Sequence, residues 1–142
     1  MFNKSYPTAV ITSRMNDRNA IVVAALVSIA GMLAHNIMEF GWIALIRIDT
    51  FSIPWALLWG IALWMWRKAD GSTGAMWTLV VMAVLNLIPG AVLSVLPLSF
   101  LPFEPDQSAS HYASHVVYGV TQLPFILLAV LWLLRQRQHT RA

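Results

Sequence analysis

The stretch AIVVAALVSIAGMLAHNIMEFGWIALI, residues 20–46, decides the fold class of this chain. It is longer than the roughly 20 apolar residues that a transmembrane helix needs, and it is interrupted only by His35, Asn36 and Glu39. A signal peptide has a shorter apolar region and a small-residue cleavage site, so this stretch predicts an uncleaved membrane helix.

The composition of the whole chain also indicates a membrane protein. Of its 142 residues, 58% are hydrophobic and 11% are charged, whereas soluble domains carry roughly 25% charged residues. The net charge of +3 comes from Lys and Arg at the ends of apolar runs, which is typical of a cytoplasmic membrane face and not of nucleic-acid binding. The lack of Cys excludes disulfides, thiolate metal sites and iron–sulfur clusters. We expect one membrane domain over residues 1–142.

Three further apolar runs follow, separated by turns rich in Gly, Pro and polar residues. The second run is near the lower limit of about 17 residues for a span, but Arg67 and Lys68 can snorkel to the headgroups, so we count it as a span. Pro89 and Gly90 predict a kink in the third run. The predicted spans are residues 20–46, 51–68, 75–97 and 111–134.

The distribution of basic residues predicts the topology. Lys and Arg number three in the N-terminal tail, one in the first loop, two in the second, none in the third and three in the C-terminal tail. Because cytoplasmic segments carry the excess of Lys and Arg, both termini and the middle loop are predicted to be cytoplasmic. We therefore expect an all-α, up-down-up-down four-helix bundle that crosses the inner membrane with both termini inside.

Two of the predicted helices carry polar stripes. An ionisable group in hydrocarbon costs at least about 2.5 kcal/mol, so each such residue needs a partner or a function. In the first helix, His35 and Glu39 are four residues apart and share one face, with Asn36 beside them. The fourth helix carries four polar residues at helical spacing on one face: His111, His115, Tyr118 and Gln122.

These stripes predict a metal site in the outer half of the bundle. Counted at about 1.5 Å per residue from the cytoplasmic ends, the two stripes lie at matching heights. Imidazole and carboxylate ligands suit zinc, iron or copper, bound in a small membrane enzyme or redox subunit. The predicted ligands are His35, Glu39, His111 and His115, and the predicted supporting residues are Asn36, Tyr118, Gln122 and, in the third helix, Asn86. No motif identifies a catalytic residue or a reaction.

Three other interpretations of the stripes remain open. His35 and His115 are candidate axial ligands of a haem held between helices. A buried carboxylate beside a histidine can also serve proton coupling, since such a pair can titrate near neutral pH. Finally, the polar residues can simply fix the register of packed helices, in a structural or accessory subunit, at about 0.6 kcal/mol for each contact.

The plan of the chain resembles one known family. Four predicted spans with a single membrane-embedded carboxylate in the first, Glu39, look like the small multidrug resistance transporters, which work as proton-coupled dimers. The resemblance implies a proton-coupled small transporter as a rival hypothesis. This chain is longer, however, and its histidine stripe at His111 and His115 is not part of the family pattern. The expected partners are the lipid bilayer and a second copy or a larger membrane complex.

Overall fold

The computed structural model describes residues 8–69, 71–101 and 104–139, and side chains within these ranges from residue 17 to 138. In this part of the chain all regular secondary structure is helical, with no strand. The four α-helices are α1 (Thr8–Phe40), α2 (Ser52–Lys68), α3 (Thr73–Leu85) and α4 (Ala109–His139). The predicted all-α class is confirmed.

Within the described ranges, three helical segments are long and apolar enough to cross a membrane. Helix α2 has 17 residues and therefore reaches about 25 Å, which is less than the ~30 Å of bilayer hydrocarbon. The fourth span and the cytoplasmic position of both termini stay predictions. The three candidate spans are Asp17–Phe40, Thr73–Val95 and Ala109–Gln138.

Helix α1 ends earlier than the sequence predicted. Gly41 adopts φ 73°, a left-handed conformation that suits glycine, and the chain leaves the helix axis there. A short 3₁₀ helix, Trp42–Leu45, follows. The apolar run up to residue 46 is therefore not one helix, because a helix-ending glycine lies inside it.

The interruption predicted at Pro89 is present as a change of helix type. Pro89 lacks the N–H that an α-helix would pair with the carbonyl four residues before it. The chain continues α3 as a π-helical segment, Asn86–Val92, and then as a 3₁₀ turn, Leu93–Val95. A π-helical segment shifts the direction of carbonyls and side chains, and it often lies at functional sites.

Helices α1 and α4 pack closely along their length. The Ser28 hydroxyl donates to the Thr121 carbonyl at 3.0 Å. A Cβ atom added at Gly31 would lie 1.9 Å from the Thr121 hydroxyl oxygen, so only glycine fits at this crossing. Near the chain termini, Arg135 pairs with Asp17 at 2.7 Å.

The bundle has two unlike halves. The half nearer the termini, called the aromatic half, is filled by side chains around Trp59, Phe125, Trp66 and Trp132. Ring centroids lie 5.2 Å apart in the Trp59–Phe125 pair and 5.8 Å apart in the Trp66–Trp132 pair, both edge to face. The other half, called the cleft half, holds the polar stripes of α1 and α4.

Candidate functional site

A carboxylate–histidine pair joins the end of α1 to the start of α4. The Nδ1 atom of His111 lies 2.6 Å from a carboxylate oxygen of Glu39. The Ser114 hydroxyl, three residues further along α4, donates to the other oxygen of Glu39. Both side chains of the pair are largely buried, with 12% of His111 and 16% of Glu39 exposed. Glu39 is thus held by two donors on one helix face.

Three histidine rings lie in consecutive contact beside this pair. The His115 ring touches both neighbours edge-on, with centroids 4.3 Å from His35 and 4.5 Å from His111. His35 also stacks on Tyr118, with ring centroids 4.9 Å apart. The predicted meeting of the α1 and α4 stripes is therefore present.

The π-helical segment orients His115. The Nδ1 atom of His115 lies 3.1 Å from the carbonyl oxygen of Ala91. A carbonyl oxygen and an ionised carboxylate only accept hydrogen bonds, so Nδ1 carries the proton in both His115 and His111. The Nε2 atom of a neutral His111 ring then carries a lone pair.

Two ring nitrogens of this group are buried without a hydrogen-bond partner: His35 Nδ1 and His111 Nε2. The indole nitrogens of Trp59 and Trp66 are also unpartnered, but these residues pack in the apolar core and do not line the cleft described below. Buried polar atoms in native proteins are nearly always paired, so an unpaired one at a cleft indicates a site for a ligand or water.

A second set of hydrogen-bonded polar side chains lies beside the histidine cluster, on the side of the aromatic half. Trp55 donates its indole N–H to the Asn86 oxygen at 2.7 Å, and Asn86 in turn donates to Gln122 at 3.4 Å. Gln122 is fully buried and donates to the Ser28 carbonyl at 3.1 Å. Two of the predicted supporting residues, Asn86 and Gln122, therefore form a network of their own that links α1, α2, the π-helical segment and α4.

Asn36 takes a different role from the one that its position beside His35 predicted. Its amide donates to the hydroxyl of Ser52 at 2.8 Å, at the start of α2. Ser52 is fully buried and bonds onward to Thr50 at 3.1 Å. Asn36 thus fastens α2 to α1 beside the cluster.

The polar cluster opens into a cleft of about 560 Å³. Most of its lining residues come from α1, the loop before α2, the start of α2, the π-helical segment and the start of α4. None of the described residues that line the cleft is Lys or Arg. The lining includes all four predicted ligands, the supporting residues Asn36, Asn86 and Tyr118, and the aromatic residues Trp55, Phe40 and Phe51.

The sequence did not single out Ser114, Ser52 or Trp55. Serine is common in membrane helices, and its spacing carries no pattern of its own. Ser114 is three residues after His111, so it lies on the same helix face, and this was the available signal. Trp55 lies near the start of a predicted span, where tryptophan is typical of the membrane interface, whereas its N–H is a hydrogen-bond donor inside the bundle.

The arrangement gives no support to the predicted metal ion. Across the ranges that the structure describes, no group of three or more His, Asp or Glu side chains is placed so that it could hold one. Both carboxylate oxygens of Glu39 already have protein donors, and His35 and His115 meet ring to ring. A haem between His35 and His115 would have to separate these rings. Zinc, iron, copper and haem stay untested predictions.

The site can bind, hold and pass on a proton. A carboxylate bonded to imidazole Nδ1, with a free lone pair on Nε2, is an acid–base pair, and here its second nitrogen belongs to a residue that lines the cleft. Glu39, His111 and the cleft provide these parts within one bundle. Comparisons of this chain with protein-family models, with curated proteins and with solved structures found no match.

Proposed function

We propose that this membrane protein moves protons through the cleft in exchange with a small polar solute, and that the Glu39–His111 pair is its proton-binding site. One observation carries the proposal. The Glu39 carboxylate is bonded to His111 Nδ1 at 2.6 Å, while His111 Nε2 is buried, unpartnered and part of a residue that lines the cleft. A proton taken up at Nε2 would be stabilised by the carboxylate behind the ring.

A purely structural network does not account for these contacts. A network that only fixes helix register gains from pairing every member, because an unpaired buried polar atom costs about 1–3 kcal/mol. The network of Asn86 and Gln122 meets this requirement. His35 and His111 each keep one unpaired ring nitrogen, and both residues line the cleft. The unpaired nitrogens favour a ligand that comes and goes over a permanent protein partner.

The packing of the two halves also favours transport. A transporter closes one side of its site while the other side is open, so a single state has one open and one filled half. Here the cleft lies in one half, and Trp59, Phe125, Trp66 and Trp132 fill the other. The π-helical segment at Asn86–Val92 offers a backbone whose pairing can change between states.

Proton flux through liposomes tests the proposal. The purified protein is reconstituted into vesicles that enclose a pH-sensitive dye and a mixture of small polar solutes that the medium lacks, so that outward movement of the exchanged solute drives protons inward. We expect the vesicle lumen to acidify faster than in protein-free vesicles, and Glu39→Gln to return the rate to the protein-free value. Gln keeps the size of the side chain and its hydrogen bond from Ser114, so the variant remains folded.

Tyr112→Phe is the matched control. Tyr112 follows His111 on α4, is 40% exposed and does not line the cleft, so its flux should equal that of the parent protein. Equal flux in Glu39→Gln and the parent protein would overturn the proposal, as would a parent rate no higher than that of empty vesicles. Stoichiometric metal in the purified protein, lost in His115→Ala, would replace it with the predicted metal site.

A further inference from the structure

The two residues of the cluster that have an unpartnered ring nitrogen line the same cleft. His35 is 7% exposed, lines the cleft and has no partner for Nδ1. His111 lines the same cleft and has none for Nε2. Both rings contact His115, so they lie on either side of a single residue. A small ligand in the cleft would therefore lie beside both residues that carry an unpaired nitrogen.

The hydrogen-bond roles select the ligand. His111 gives its Nδ1 proton to Glu39, and Nε2 of the neutral ring can only accept. The ligand must therefore carry a donor hydrogen at this point. A ligand with two or more N–H or O–H groups on one atom can also reach Nδ1 of His35, whereas a ligand that only accepts leaves His111 unpaired.

The charge around the cleft selects a cation. Asp49 lines the cleft and is paired with Arg47, so Glu39 sets the charge of the site while the histidines are neutral. The lining also includes the aromatic residues Trp55, Phe40 and Phe51, and aromatic faces attract cations. A ligand carboxylate would find neutral donors such as Asn36 and Thr50, but no Lys or Arg among the described lining residues to offset its repulsion from Glu39.

We propose that the cleft binds a small protonated primary amine, whose ammonium group donates hydrogen bonds to His111 Nε2 and His35 Nδ1 while its alkyl chain lies among the aromatic residues. The inference rests on the proposed function and names the solute class that exchanges with the proton. The ammonium and a proton on Nε2 compete for the same lone pair, so the two cannot occupy the site together. This competition would couple the solute to the proton.

Two isomeric cations test the proposal on the unmodified protein. n-Butylammonium and tetramethylammonium have the same atoms and charge, but only the first has N–H groups. Binding is measured by saturation-transfer NMR on the full chain in lipid nanodiscs, with empty nanodiscs as the baseline. We expect a saturable signal for n-butylammonium and none above baseline for tetramethylammonium or for neutral 1-butanol.

Two variants locate the site. His35→Phe keeps a ring against Tyr118 and His115 but removes Nδ1, and His111→Asn keeps a donor near Glu39 but removes Nε2. Loss of one hydrogen bond to a charged group corresponds to about tenfold or more in the dissociation constant, so each variant should bind n-butylammonium at least about tenfold more weakly. Tyr112→Phe should bind it as the parent protein does.

The outcomes separate this inference from the proposed function. Equal signals for the two isomers, for 1-butanol and n-butylammonium, or for the parent and both variants, would overturn the amine site even if proton flux depends on Glu39. Selective n-butylammonium binding with flux independent of Glu39 would leave the amine site standing and remove proton exchange. The comparison of the two isomers uses the unmodified protein, so it tests the amine site even if a variant does not fold.

Discussion

The helices are held together by apolar ring packing in the aromatic half of the bundle and by polar contacts between side chains in the cleft half. In the aromatic half, Trp59 and Trp66 are fully buried against Phe125 and Trp132, and contacts between rings fill the space. In the cleft half, side chains bond across helices around a space of about 560 Å³. Tight packing gives many dispersion contacts, while an open polar site gives few.

The difference in packing suggests that the two halves have different roles, one in stability and one in function. A filled apolar core tolerates no loss of volume, whereas a site that receives a ligand keeps unpaired groups and empty space at a cost in stability. We infer that the aromatic half supplies most of the stability of the bundle and that the cleft half carries its chemistry. Substitutions that act on one half at a time can test this division.

The largest effect is expected at Trp59. Trp59→Ala removes a fully buried indole from the aromatic half and leaves a cavity beside Phe125, which typically costs about 3–5 kcal/mol. The free energy of unfolding in mixed detergent micelles measures this cost. Trp42→Ala removes an indole that is 76% exposed and should change the free energy by about 0.5 kcal/mol or less.

His35→Phe provides the contrast from the cleft half. It replaces a buried ring by one of similar shape and removes an unpaired nitrogen, so we expect a smaller loss of stability than in Trp59→Ala. The reverse order, with His35→Phe the more destabilising variant, would contradict the division between the halves.

An intermediate effect is expected at Gly31, where α1 crosses α4 between the two halves. In Gly31→Ala, the added methyl group overlaps the Thr121 side chain, and overpacking of this kind costs about 1–3 kcal/mol or more. The same unfolding measurement applies. Thr121→Gly removes the overlapping atoms, so it should recover part of the loss in the double variant.

Additive losses at Gly31 and Thr121 would show that the two residues do not share this contact. If the double variant recovers the free energy of unfolding but shows no proton flux, the cleft depends on the exact spacing of the helices as well as on their stability. Either result would show how far the cleft half depends on the helix crossing at Gly31.

Much of the helical plan followed from the sequence. Hydropathy predicted the three long apolar helices, and the spacing of His35 with Glu39 and of His111 with His115 predicted polar faces that meet. These predictions rest on helical periodicity, which is local and strong. The end of α1 at Gly41 was missed because a glycine within an apolar run reads equally well as part of a helix.

Long-range pairing was harder to predict. Which donor occupies Glu39, and whether Asn36 faces the cluster or α2, depends on how helices rotate against each other, and no local pattern records that rotation. The metal hypothesis treated four polar side chains as free ligands. In the structure Ser114 and His111 already bond to Glu39, and Asn36, which was predicted only to support the ligands, bonds to Ser52.

The smallest effect is expected at the water-facing edge of the cleft half, before α4 begins. The Ser108 hydroxyl donates to Asp106 at 2.6 Å, and this bond, followed by the Ser108 backbone N–H and the nearby His111, lowers the pKa of Asp106. Ser108→Ala should therefore raise the pKa of Asp106 toward its ordinary value, as measured by carboxyl-carbon NMR.

The sign for stability follows from the direction of this shift. A carboxyl whose pKa is lower in the folded protein stabilises the fold above its unfolded pKa, and the contribution is lost as pH falls through the folded value. In Ser108→Ala, the free energy of unfolding should therefore fall less as the pH is lowered through the pKa of Asp106. The pKa of Asp49, which is lowered by its bond to Arg47, should not change. An unaltered Asp106 titration in Ser108→Ala would mean that the hydroxyl contributes nothing there. The proton flux should stay at the parent level, because neither Ser108 nor Asp106 lines the cleft.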